Sequence, residues 1–160
     1  MEGLKSSCDN GLIFDVGLHR GEDTEFYLKK GFRVVAIEAS EALCREAEQR
    51  LSGAIAAGRL TIINRAVAAT PGEVTFFENA VSVWGTVVPS WAERNLRLGA
   101  PSIERKVQAV TLGSLIAEFG IPYYLKIDIE GMDRIALEAL TETATRPKYV
   151  SIESEKISFT

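Results

Sequence analysis

The residue pattern of this chain describes an α/β domain with a doubly wound, mostly parallel sheet and helices on both faces. Three observations carry that reading. Across residues 11–63 the order is apolar run, amphipathic stretch, apolar run, amphipathic stretch, apolar run. The apolar runs show no in-out alternation, the habit of parallel strands buried on both faces. Two of them, Leu12-Ile13-Phe14 and Val34-Val35-Ala36-Ile37, are followed directly by carboxylates, Asp15 and Glu38. At 160 residues, 46% hydrophobic and 25% charged, the chain has the length and composition for one domain with a real core.

Taken in order, residues 1–10 are polar and read as a loose lead-in, and 11–16 form the first strand. Residues 22–30 form a helix, opened by Glu22 and Asp23, which suit its positive dipole end, and stopped by Gly31. Residues 32–37 are the second strand. Residues 40–51 are the second helix, with Ser40 as N-cap and Leu43, Ala47 and Leu51 on one face. Residues 60–63 are the third strand, and this alternation implies right-handed crossovers. Ala66-Val67, a turn at Thr70-Pro71-Gly72 and an edge strand over 73–77 follow.

Residues 79–102 are the least regular; within them Ser90 caps a short helix over 91–98 that Gly99 closes. A short strand over 106–110 leads to Thr111, which caps a helix over 112–119. Residues 123–129 are a strong strand, 132–140 a helix, and 149–152 a last strand entered after Pro147. A doubly wound domain ordinarily adds one or two further strand–helix units, so its C-terminal strands are expected to be cut short or replaced by another closure.

The net charge of -4, with no run rich in Lys or Arg, argues against a nucleic-acid partner. No apolar run approaches the roughly 18 residues of a membrane span, and no signal-peptide core is present, which makes a cytoplasmic protein the expectation. Cys8 and Cys44 fit neither a disulfide framework nor a metal spacing; Cys44 reads as a packing residue.

The chemistry gathers at the strand ends, where open parallel sheets bind their ligands. The first turn reads D-x-G-x-x-x-G, with Asp15, Gly17 and Gly21. Dinucleotide binders place G-x-G-x-x-G here, and a carboxylate ~4 Å from a pyrophosphate is repelled by about 1 kcal/mol even in water-like dielectric. S-adenosylmethionine carries no phosphate. Asp15 is then expected to hold its ammonium, the amides of the following helix its carboxylate, Glu38 its ribose hydroxyls, and Asn64 to line the adenine pocket. The blander readings are a turn-capping Asp15 and a Glu38 that merely begins a helix.

A second cluster is Lys126-Ile127-Asp128-Ile129-Glu130-Gly131. Period-two alternation puts Lys126, Asp128 and Glu130 on one side of a strand, where three charges must be paired or face a cleft. One reading is a self-neutralising pair that supports the fold; the other brings Asp128 and Glu130 beside the sulfonium. Two carboxylates also suit a divalent cation, but no third ligand is visible and no metal is assigned.

These segments resemble the FkbM family of SAM-dependent methyltransferases. The resemblance runs through Phe14-Asp15-Val16-Gly17 and Gly21-Glu22-Asp23-Thr24, then 31–39, Asn64-Arg65-Ala66-Val67, Thr111-Leu112, 125–131 and Val150-Ser151-Ile152-Glu153. It implies a class I methyltransferase fold, S-adenosylmethionine as cofactor, and O-methylation of a hydroxyl on a sugar or natural product. Carried onto this chain, it implies cofactor contacts at Asp15, Gly17, Gly21, Thr24, Glu38, Ala39, Asn64 and Ala66. Leu18 stands where the family has a small residue, and its branched side chain is expected to crowd the methionine tail.

The acceptor side is read from the remaining residues. Asp128, Glu130 and the single histidine, His19, are the candidates for catalysis, and Trp84, Thr86 and Lys126 for acceptor binding. Aromatic faces at Trp84 and Trp91 suit a sugar ring and a passing sulfonium charge. The partner expected is a small hydroxyl-bearing molecule, with a homodimer left open. The competing readings are a non-catalytic nucleoside- or SAM-binding module of the same fold and, third, an NAD-dependent oxidoreductase.

Overall fold

The structure, a computed structural model, describes residues 9–141 and 146–153. Its first half holds strands β1 (Asp9–Val16), β2 (Arg33–Glu38), β3 (Leu60–Asn64), β4 (Ala66–Val67) and β5 (Gly72–Asn79), with helices α1 (Glu22–Lys29), α2 (Glu41–Arg50) and α3 (Ser52–Ala56). The second half holds a 3-10 turn (Ser82–Trp84), α4 (Pro89–Arg97), β6 (Ser102–Val110), α5 (Leu112–Phe119), β7 (Pro122–Ile127), α6 (Asp133–Ala139) and β8 (Tyr149–Ile152).

The main sheet runs β3-β2-β1-β7-β8 with all neighbours parallel, as the apolar runs require. Successive β1 residues serve opposite faces. Leu12, Phe14 and Val16 join Leu112 and Leu115 of α5 and Ala136 of α6, while Ile13 joins Leu28 of α1 and Ala47 of α2. Helices therefore cover both faces. The chain winds outward from β1 through β2 to β3 and returns to β1's other side as β7, so the strand order reverses between β1 and β7. Crevices open at such reversals, outside the carboxyl ends of the strands.

A second sheet, β4-β6-β5, was not separable in the sequence from the first. The predicted strand over 73–77 belongs here, antiparallel to β6 from Gly72 opposite Ala109 to Asn79 opposite Ser102. β6 begins four residues earlier than the sequence indicates, because exposed Glu104 and Arg105 interrupt any apolar pattern on a strand paired through its backbone.

Other boundaries shift for local reasons. Ser90 caps nothing: α4 begins at Pro89, whose fixed φ and missing N–H suit the first helical position. The helix over 40–51 ends at Arg50 and a short α3 follows, Leu51 sitting outside helical geometry at φ -107°, ψ 19°. β7 stops at Ile127, so Asp128 and Glu130 lie in the turn beyond the strand and not on its alternating face. Ser40 does cap α2, accepting from Leu43 N, and Thr111 caps α5, accepting from Ser114 N. Cys44 is buried with its thiol pushed up to about 12, chiefly by burial, which keeps it a packing residue. Among the described residues no helix is long and apolar enough to cross a membrane.

Candidate active site

A cleft of about 400 Å³ opens at the reversal point, within the usual range for small-molecule sites. The turn after β1 forms its floor. Gly17 N and Leu18 N both donate to Ile37 O, at 2.9 and 3.0 Å, and Gly21 N closes the turn on Leu18 O. Gly17 has φ 91°, and a Cβ there would stand 1.9 Å from Asp128 O. This glycine is therefore required by the backbone of the β7 end as well as by its own conformation. His19 also has a positive φ, 51°, uncommon for a residue with a side chain.

Glu38, at the β2 end, ties two turns together. Its Oε2 accepts from His19 N and its Oε1 from Ser40 N, each at 2.9 Å. Burial raises its pKa, with those amides working against the shift. Each oxygen keeps a further lone pair for a ligand hydroxyl. Asn64 stands behind this edge: its amide donates to the Glu38 and Ala39 carbonyls, which fixes the loop after β2.

Asp15 is fully buried and sits directly across from Lys126 in the β1–β7 register. It accepts from Thr24 Oγ1 at 2.7 Å and Lys126 Nζ at 3.3 Å. Burial pushes its carboxyl up, while Lys126 and Thr24 pull it down. Lys126 Nζ also lies 2.8 Å from Asp23 and 3.9 Å from Asp128. Burial alone would weaken that ammonium; the three carboxylates outweigh it and hold the pKa above its ordinary value.

Of the residues singled out from the sequence, the cleft wall contains Gly17, His19, Glu38, Ala39, Ala66, Trp84, Thr86, Lys126, Asp128 and Glu130. Asp15, Gly21, Thr24 and Asn64 lie outside the cleft lining, where Asp15 holds Lys126, Thr24 donates to Asp15 and Asn64 fixes the Glu38 loop. Leu18 is 2% exposed and packs in the core with Leu28 and Leu51, and it also borders the cleft beside Gly17.

The opposite wall comes from residues 82–87 and the turn after β7. His19 Nε2 lies 2.9 Å from Ser82 Oγ. Thr86 is nearly buried and donates to Glu130 O at 2.7 Å, while the fully buried Asn95 donates to Trp84 O at 3.0 Å. Arg94 stacks on Trp91 and approaches Glu130 to 3.7 Å. Burial raises the Glu130 pKa and Arg94 opposes it.

Sequence reasoning missed Glu153 as a site residue. It lines the cleft, and its pKa is raised by the hydrogen bond and charge of Asp128. The signal was present as a fourth apolar run followed by a carboxylate, Ile152-Glu153, after those at Asp15, Glu38 and Glu130. Arg65 and Phe76 also line the cleft but were given no role, although Arg65 lies in the Asn64-Arg65-Ala66-Val67 stretch that carries the resemblance. Among the described residues no group of three or more His, Cys, Asp or Glu side chains is placed to hold a metal ion.

Comparison with known proteins matches the chain to a family. The sequence profile of the methyltransferase FkbM domain covers residues 15–160. The chain belongs to the FkbM methyltransferase family. A crystal structure of an FkbM methyltransferase from Methylobacillus flagellatus KT superposes with a TM-score of 0.57 at 19% identity, covering 94% of this chain and 34% of that one. At that identity the likeness speaks for the fold, and this FkbM chain spans about a third of the solved protein. Among curated proteins none matches it significantly.

Proposed function

We propose that this chain binds S-adenosylmethionine and transfers its methyl group to a hydroxyl on a sugar or other small natural product. The observation that carries the reading is Glu38: a carboxylate at the β2 end, held by two backbone amides, facing a cleft floored by the glycine turn. That is a receptor for the two hydroxyls of a ribose. The cleft's charge supports it. Glu22, Asp23, Glu38, Asp128, Glu130 and Glu153 line it against the cations Arg65 and Lys126, a balance suited to a cationic cofactor and hostile to a pyrophosphate.

Gly17, Ala39 and Ala66 would border the nucleoside, with Lys126 and its three carboxylates holding the floor rigid. Bound there, S-adenosylmethionine supplies an electrophilic methyl group. Glu130 is the residue suited to take a proton from the acceptor hydroxyl, since burial raises its pKa toward the range where a carboxylate serves as base. Trp84 and Thr86 border the space left for the acceptor, and Asp128 and His19 stand at its margins.

Isothermal titration with S-adenosylmethionine tests the cofactor. Binding is expected, weakened at least about tenfold in Glu38→Gln, the share of a charged hydrogen bond. No binding at about 1 mM, an affinity of only some 4 kcal/mol, overturns the proposal. Labelled-methyl transfer across a panel of sugars and hydroxylated natural products then tests the reaction; binding without transfer to any of them supports a non-catalytic module instead.

A further inference from the structure

The turn after β7 carries Glu130 into the cleft, and α4 with the residues leading into it grips that turn at three places. Thr86 Oγ1 donates to Glu130 O at 2.7 Å. Gly131, at φ 86°, lies so close to α4 that a Cβ there would stand 3.2 Å from the Trp91 ring and 3.0 Å from Val88. Arg94, nearly one turn along the helix from Trp91, sets its guanidinium carbon 4.3 Å from the centre of that ring and its Nη2 3.7 Å from Glu130 Oε2. The guanidinium is also held from behind. Its Nε and Nη2 donate to Oδ1 of the fully buried Asn95, whose own amide donates to Trp84 O. A cation already fixed by a ring face and a buried amide loses little further freedom in facing a carboxylate, unlike a free surface arginine.

Glu130 needs that cation. Its other charged neighbours are acids: Asp128 on the same turn, Asp133 at the start of α6 and Glu153 after β8. Burial and these charges favour the protonated carboxyl, and among the described residues Arg94 makes its one ion pair. A carboxyl that already carries a proton cannot take one from an acceptor hydroxyl. Arg94 does not itself line the cleft, so it acts there only through Glu130. We infer that Arg94 is a positioning residue: seated on Trp91 and Asn95, it holds Glu130 ionised at the acceptor side of the cleft. This rests on the reading of Glu130 as the group that takes the acceptor's proton.

The test is the titration of Glu130 in the full chain, followed by carbon-13 NMR of labelled glutamate carboxyls and assigned through Glu130→Gln. Arg94→Met keeps an unbranched stem over Trp91 and removes the charge. Arg94 is 44% exposed, so water screens the pair, and its loss is expected to raise the proton affinity of Glu130 about threefold, an upward move of about half a pH unit. Arg97→Met takes the same charge from the last turn of α4 and is expected to leave the Glu130 titration in place. A purely structural Arg94 would lower the urea midpoint of Arg94→Met without moving that titration. An unmoved Glu130 titration in Arg94→Met, or an equal move in Arg97→Met, overturns the inference, and S-adenosylmethionine binding by the wild type then leaves the methyltransferase reading intact. A wild-type chain that binds no S-adenosylmethionine overturns both.

Discussion

Along the β1–β2 side of the cleft, main chain meets main chain: Gly17 and Leu18 amides bond Ile37 O, and Gly17 leaves no room for a Cβ against Asp128 O. Along residues 82–87 one backbone bridge, Thr86 with Phe77, is supplemented by side-chain ties from Ser82, Thr86 and Asn95, and the glycine there, Gly85, faces only the ring of Phe76. A wall of backbone can change shape only if strands move, whereas a wall of side chains can be re-cut one substitution at a time. The first suits a cofactor whose shape is constant. The second suits an acceptor that differs from one enzyme to another.

Matched glycine substitutions break or sharpen that contrast, and the largest effect is expected at Gly17→Ala. Strain at φ 91° and a 1.9 Å approach to backbone together cost about 4 kcal/mol, read as a fall in urea midpoint with loss of S-adenosylmethionine binding. Next comes Lys126→Met. It strips the buried Asp15 of its cation and is expected to lose about 3 kcal/mol at neutral pH, with much of the loss recovered in acid as Asp15 protonates.

Gly85→Ala is the counterpart on the other wall. Its Cβ would lie 2.6 Å from Phe76, but a ring can turn and the backbone there is unstrained, so about 1 to 2 kcal/mol is expected. Equal costs at Gly17 and Gly85 in the same denaturation series would erase the distinction between the walls.

The smallest effect concerns the missed carboxylate. The Glu153 pKa is raised in the folded state, so its share of stability is present in acid and is lost as pH climbs above the ordinary 4.5 and through the folded value. Glu153→Gln removes that loss. Melting curves from acid to neutral pH are expected to fall less steeply in the variant, with a gain of about one or two degrees at neutral pH. Parallel curves would show that Glu153 carries no raised pKa in the folded state.

Much of the main sheet was legible because its information is local. Unbroken apolar runs mark buried parallel strands, Ser40 and Thr111 mark helix starts, and Gly31 a helix stop. The second sheet was harder. β5 and β6 are held by backbone pairing with outward faces of Glu, Arg and Lys, so their apolar period is weak. At Ser90 a good capping residue misled, because Pro89 one position earlier is the stronger helix start.

At the site the same division holds. That carboxylates follow the first two strands and a glycine turn lies between them is written in short stretches of chain, and the choice of S-adenosylmethionine over a dinucleotide rests on that charge alone. Which of those carboxylates faces the cleft is not. Asp15 turns inward because β7 lies beside β1 and sets Lys126 against it, 111 residues away. Glu153 enters the cleft because β8 follows β7 in the sheet, and Leu18 joins the core cluster of Leu28 and Leu51 while still bordering the cleft. Local pattern specifies which elements form and what chemistry their ends carry; the order in which the strands pack decides which charges meet, and no short-range signal encodes that order.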